Sequence, residues 1–281
     1  MIQYLNITPY SMKIRILKKC SIQDLMHYFH ISKSKWNENE IVPNQKEYLE
    51  NTIVTIHFKL KEINSRQKGD LKILYEDDFF IACYKPPFLL VHEDGNHSKN
   101  LQDRVNEYLY QQGWPYESQA LHRIDTQCSG IVLFSKFPFF QGLFDSILAN
   151  HDCIKEYYAL VQGKMPFHKK TVRSNIARNR HNSKAMIIHP NGKLSISHIE
   201  VIKKYSNSTL CKVRIETGRK HQIRLQLQSI SHPIINDPIY GTIYNDKGLL
   251  LENFHMSFIH PVYKHKIDIQ IPLDSRFQIK E

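Results

Sequence analysis

No stretch of this chain approaches the roughly 18 consecutive apolar residues that a membrane-spanning helix requires, so none of its 281 residues is read as membrane-embedded. The N-terminus lacks a basic segment followed by an apolar one, which argues against export and places the protein in the cytoplasm. The five cysteines (Cys20, Cys83, Cys128, Cys153, Cys211) are scattered, with no Cys-x-x-Cys pair. That spacing argues against both a zinc knuckle and a disulfide framework. None of the 16 histidines falls in a His-Glu-x-x-His arrangement. Glycine-rich phosphate loops, internal repeats and low-complexity tracts are also missing. The expectation is a monomer that needs no metal and no cofactor.

Positive charge is what the chain has in excess. Lys and Arg number 38 against 27 Asp and Glu, a net charge of +11. Such a balance favours a polyanionic partner, with nucleic acid the first candidate and a membrane surface a weaker one. The length suits one large domain plus a small one.

Residues 1–68 read as a small front module and 69–281 as the main domain. In the front module Ser21 and Asp24 form a weak capping box before Ile22, Leu25, Met26 and Phe29 at helical spacing. Residues 53–60 read as a strand and the polar residues 62–70 as a linker. Further on, apolar runs around 73–75 and 79–82 flank Glu76-Asp77-Asp78 as paired strands, and Lys85-Pro86-Pro87 ends the second. Residues 100–112 form an amphipathic helix, stopped by Gly113 and Pro115. Phe140, Leu143, Phe144, Ile147 and Leu148 mark another. Asn191-Gly192 reads as a hairpin between strands 185–189 and 194–201.

Chemistry concentrates in three segments. The first is Leu121-His122-Arg123-Ile124-Asp125-Thr126-Gln127-Cys128-Ser129-Gly130, which runs into the apolar strand Ile131-Val132-Leu133-Phe134. Groups that carry charge or protons thus crowd the mouth of a rigid element, where scaffold and solvent meet. The plain alternative is an ordinary turn capped by its Asp. The second is the strand 155–163, where alternation sends Tyr157 and Tyr158 to opposite faces. The third is Thr217-Gly218-Arg219-Lys220-His221-Gln222-Ile223-Arg224, continued by Ser231-His232-Pro233-Ile234 and Asn236-Asp237-Pro238-Ile239-Tyr240-Gly241. Between the last two, residues 164–184 carry Lys169, Lys170, Arg178 and Arg180 with no acidic residue, a candidate phosphate track.

These blocks, in this order, resemble the RluA-type RNA pseudouridine synthases over about residues 70–272. His-Arg-Ile-Asp followed by Ser-Gly is similar to the family's catalytic loop, with Ile124 in place of Leu and Cys128 in place of Thr. The second exchange replaces a hydroxyl donor with a thiol. Residues 155–163 resemble the Lys-x-Tyr-x-Ala-x-Val segment, and 217–224 the Thr-Gly-Arg-x-His-Gln-Ile-Arg block. The resemblance implies Asp125 as the catalytic carboxylate, Arg224 as its facing cation, Tyr157 as the active-site tyrosine and Arg123 as the residue that props the gap left by an extruded base. It also implies an RNA surface including His122, Arg219 and His221. The front module is then a degenerate copy of the family's small RNA-binding module, without a full basic second helix between Trp36 and Glu50.

The implied reaction breaks the glycosidic bond of a uridine and rejoins the sugar to carbon 5 of the same ring. It needs no redox step and no donor. A carboxylate can stabilise or bond to the electron-poor sugar carbon, and a guanidinium keeps such a carboxylate charged in a dry cleft. Tyr157 either serves as a base or stacks on the uracil. The substrate is ribosomal or transfer RNA. The expected architecture is α+β, a curved and largely antiparallel sheet with flanking helices. The rival reading is an RNA-binding or ribosome-assembly factor that keeps the fold without activity. Loss of Asp125 or Arg224 would favour it, and both are present.

Overall fold

The computed structural model describes residues 1–63, 65–96, 98–149 and 152–278. The strands fall into two main groups. Ile2–Ile7, Ser11–Ile16, Ile53–His57 and Glu40–Val42 make a four-stranded antiparallel sheet. All strands from Lys72 onward join one eleven-stranded sheet. Its central path runs Met186–Ile188, Lys169–Arg178, Lys193–Lys204, Ser208–Ile215, Ile154–Gln162, Leu251–Ile259, Ser129–Ser135, Phe80–Lys85, Lys72–Glu76. Every pairing in it is antiparallel except the one between Ser129–Ser135 and Leu251–Ile259. With its few helices, this is the α+β architecture expected.

In the front sheet, alternation drives Met12, Ile14 and Ile16 fully inward while Lys13 stays exposed. The helix Ile22–Tyr28 starts on the complete capping box of Ser21 and Asp24. Aromatic rings then join this sheet to the large one. Phe29 meets Phe139 edge-on at 5.1 Å between centroids, and Phe58 meets Phe137 at 5.5 Å. One continuous apolar cluster runs through both sheets.

In the large sheet the paired strands around Glu76-Asp77-Asp78 form as expected. Asp77 ties the turn by accepting from the Phe79 and Phe80 amides at 2.8 and 3.0 Å. The helix Leu101–Gln111 is capped by Asn100, which accepts from the Asp103 amide at 2.9 Å, and buries Leu101, Val105 and Leu109. The helix Gln141–Ala149 buries Leu143 and Phe144.

One pairing differs from the sequence reading. Asn191-Gly192 does not close a hairpin between neighbouring strands. Met186–Ile188 and Lys193–Lys204 both pair with Lys169–Arg178, which lies between them. Ile176 faces Ile188 on one side and Lys193 on the other. The acid-free segment supplies that central strand: its alternation includes Val172 and Ile176, both buried, so part of it belongs to the sheet.

Candidate active site

Ser129–Ser135 is buried throughout its length and carries the 121–128 loop at its leading end. Gly130 stands in the parallel pairing opposite Asn253, at φ +120°. A Cβ there would lie 2.2 Å from the Asn253 carbonyl oxygen, so only glycine fits this approach. Beneath the loop, Lys85 is wholly buried. Its ammonium donates to the carbonyls of Pro86, Leu89 and Thr126 at 2.9, 2.7 and 2.9 Å. The last bond ties the loop down next to Asp125. Burial lowers the Lys85 pKa to about 8, with Cys128 and the Asp125 carboxylate acting in the other direction.

The helix Gln222–Ser229 comes in from the other side. It has no side-chain N-cap, because His221 sits in the left-handed region at φ 56°. Buried amides hold it instead. Gln222 donates to the Ile196 carbonyl at 3.0 Å, and Gln226 to the Ser195 carbonyl at 3.0 Å. Ile223 and Leu227 pack inward. With the helix fixed, Arg224 is held almost without exposure. Its Nη1 donates to Asp125 Oδ2 at 2.6 Å. Nε and Nη2 form a bidentate pair with Asp237, both at 2.8 Å. Burial alone would lower the Arg224 pKa, but the hydrogen bonds to Asp237 and the charges of both carboxylates raise it above the ordinary value. Burial works against the Asp237 carboxylate, yet the bonds and charge of Arg224 outweigh it and hold the pKa down.

A cleft of about 510 Å³ opens over this pair, inside the range of about 300–1,000 Å³ typical of ligand sites. Tyr157 lines it. Between Ile154–Gln162 and Leu251–Ile259 the register slips at Glu156/Tyr157, so Phe254 is skipped and Tyr157 faces Asn253. Bulges of this kind re-aim side chains beside sites. Tyr158 takes the opposite face and stacks on Phe254 at 3.7 Å between centroids. Burial, followed by the charges of Cys128, Cys153 and Asp125, drives the Tyr157 phenol pKa far above its usual range. Cys128 donates its thiol to the Leu251 carbonyl at 3.0 Å, so it fills the threonine position with a hydrogen bond of its own. Burial pushes that thiol up to about 12.

His122 and His221 both line the cleft. His122 Nε2 accepts from the Leu133 amide at 3.2 Å. Burial and then the charge of Lys155 lower its pKa to about 3. His221 stands 3.8 Å from Asp125 through Nε2, while its Nδ1 lies 3.0 Å from the Tyr240 hydroxyl. Burial brings its pKa to about 4. Arg123, Arg178 and Arg219 also border the cleft. Lys169 and Lys170 do not: they begin the strand that Arg178 ends, about 25–30 Å away at strand spacing. Lys169 is paired with Glu200 at 3.0 Å. Arg180 is exposed, just past the strand end.

Three contributors went unassigned by sequence reasoning. Asp237 and Tyr240 stand in a quoted block, but nothing local marks Asp237 as the partner of an arginine 13 residues earlier. Lys155, also on the cleft wall, was signalled by its spacing of two from Tyr157. Among the described residues no cluster of His, Cys, Asp and Glu is arranged to hold a metal ion, and no helix is long and apolar enough to cross a membrane.

The family model for RNA pseudouridylate synthase matches residues 79–229, which contain the loop, Tyr157 and Arg224. The chain belongs to this family. Among synthases of this kind, ribosomal large subunit pseudouridine synthase C of Buchnera aphidicola subsp. Acyrthosiphon pisum is 33% identical over 220 residues, covering 74% of this chain and 68% of that protein. Ribosomal large subunit pseudouridine synthase D of the same organism is 29% identical, covering 85% and 83%. The solved structure of human RNA pseudouridylate synthase domain containing 1 superposes with a TM-score of 0.60 at 20% identity, covering 73% of this chain and 86% of that one. That likeness shows the pseudouridine synthase fold. The chain is thus an enzyme of the RNA pseudouridine synthase family.

Proposed function

We propose that this synthase isomerises particular uridines in structured RNA, with Asp125 as the carboxylate that meets the sugar carbon of an extruded uridine. The observation that carries this reading is the 2.6 Å bond between Arg224 and Asp125 at the floor of an open cleft. Asp125 keeps its second oxygen for substrate, and the guanidinium supplies the opposing charge. Tyr157 acts as a neutral phenol that stacks on the uracil and can donate a hydrogen bond. Its raised pKa argues against a resting tyrosinate base. Extrusion costs a few kcal/mol, offset by stacking in the cleft. The exposed Arg123 is the side chain available to fill the vacated stack.

Names of the relatives favour large-subunit ribosomal RNA over transfer RNA. We infer a cytoplasmic monomer in which residues 1–68 are an accessory module and the rest is the catalytic domain. The test is to map pseudouridine in total RNA with and without the gene, complemented by wild type or Asp125→Asn. A site restored only by wild type supports the reading. A site restored equally by Asp125→Asn returns the protein to the class of RNA-binding factors on the same fold.

A further inference from the structure

The cleft contains a positive charge that the Asp125–Arg224 pair does not use. Lys155 and Tyr157 stand two residues apart on Ile154–Gln162, so alternation sends both to the cleft, where both line the wall. All three nitrogens of Arg224 are engaged by Asp125 and Asp237, so two carboxylates already oppose the charge of that buried guanidinium. Lys155 is different. It is largely withdrawn from solvent, and among the described residues no carboxylate compensates its charge; the thiol of Cys153 is the one group acting against the burial that lowers its pKa. A desolvated cation without a partner is destabilising in the free protein, and an anionic ligand would relieve that cost.

Position identifies the ligand. Across the sheet Lys155 pairs with Ile215 on one side and Met256 on the other, whereas Tyr157 pairs with Asn253. Since Asn253 lies opposite Gly130 at the foot of the catalytic loop, Lys155 is displaced from Tyr157 away from Asp125 by about 7 Å along the strand. That is the scale separating a base from the phosphate of its own nucleotide. The neighbouring His122 is kept neutral, with its Nε2 occupied by the Leu133 amide, so it adds no second charge there.

We propose that Lys155 forms an inner phosphate subsite, gripping one backbone phosphate that flanks the extruded uridine. The subsite rests on the RNA-isomerase reading and deepens it: the rim arginines attract RNA in general, whereas Lys155 engages only the nucleotide that has entered the cleft.

The test compares wild type, Lys155→Met and Lys155→Arg on a synthetic stem-loop RNA containing the mapped uridine, with binding and turnover measured separately. Lys155→Met should weaken binding about tenfold and reduce the slope of log K against log salt by about one, raise KM far more than it lowers kcat, and melt no lower than wild type. Lys155→Arg should restore most of the affinity. Replacing single phosphates by methylphosphonate should weaken wild-type binding at one position beside the uridine, while Lys155→Met is indifferent to that position. Equal sensitivity of both proteins at every phosphate would overturn the subsite. So would a loss confined to kcat, which would place the ammonium on the uracil instead. Wild type that binds through Lys155 but forms no pseudouridine would overturn the isomerase reading and leave the phosphate contact standing.

Discussion

Arg224 points at Asp125 because Asp237 holds the other edge of its guanidinium. The bidentate pair at 2.8 Å fixes the plane of the fork, and Asp237 Oδ1 also accepts from the amides of Ile239 and Tyr240 at 2.9 and 3.0 Å. The turn 237–240 therefore holds the carboxylate, the carboxylate holds the arginine, and the arginine faces the cleft.

The two aspartates should consequently fail in different ways. Asp237 is wholly buried, so Asp237→Ala leaves a buried guanidinium short of its main partner and should cost about 3–5 kcal/mol. The side chain of Asp125 is 29% exposed, so Asp125→Asn should change stability by less than about 1 kcal/mol. Pseudouridine formation by it should fall at least about 1,000-fold. Urea unfolding and a pseudouridine release assay separate the two. An Asp125→Asn protein that turns over normally removes the carboxylate from the mechanism.

Tyr157 should bind RNA through its ring and keep its proton. Tyr157→Phe is expected to hold RNA within about threefold of wild type, and Tyr157→Ala to lose about 1–3 kcal/mol of stacking. In a spectrophotometric titration the wild-type and Tyr157→Phe proteins should show the same tyrosinate signal up to about pH 11, because burial raises this phenol. A tyrosine titrating near neutrality that disappears in Tyr157→Phe would restore the base role.

The cationic segment should act at one end. Arg178 borders the cleft, whereas Lys169 is tied to Glu200 at the far end of the strand. Neutralising Arg178 and Arg180 should lower the salt slope of RNA binding by about two, and neutralising Lys169 and Lys170 should lower it less. Equal slopes for the two double variants would mean that RNA follows the entire strand.

Stability should decline on mild acidification. His122 and His221 have folded-state pKa values of about 3 and about 4, below the unfolded value of about 6.5. Between those limits the unfolded chain binds more protons than the folded one. Their contribution is therefore intact above about pH 6.5 and lost as pH falls toward 4 and then 3. Urea midpoints measured between pH 7.5 and 5 should drop, and His122→Gln, which keeps an acceptor for the Leu133 amide, should flatten the dependence. An unchanged slope in that variant would show that His122 does not titrate in this window.

Local pattern settled much of this molecule in advance. The capping box at Ser21, the helix stripe of Leu101, Val105 and Leu109, the acidic turn at 76–78 and the opposite facing of Tyr157 and Tyr158 each depend on residues close in the chain, so each was legible. The ordered blocks around Asp125, Tyr157 and Arg224 announced the family for the same reason. What the sequence left open required knowing which strands are neighbours. Asn191-Gly192 has the composition of a hairpin turn, yet strand 169–178 lies between the two strands it connects. The acid-free segment looked like one surface, but an extended strand carries Lys169 and Arg178 to opposite ends. Asp237 could be read as a turn residue and not as the anchor of Arg224, and Lys155 as a basic strand residue and not as a cation on the cleft wall. Those facts are distances between groups brought together by packing. Spacing along a chain specifies the period of each element, whereas the packing of loop, helix and turn on the sheet decides which carboxylate meets which cation.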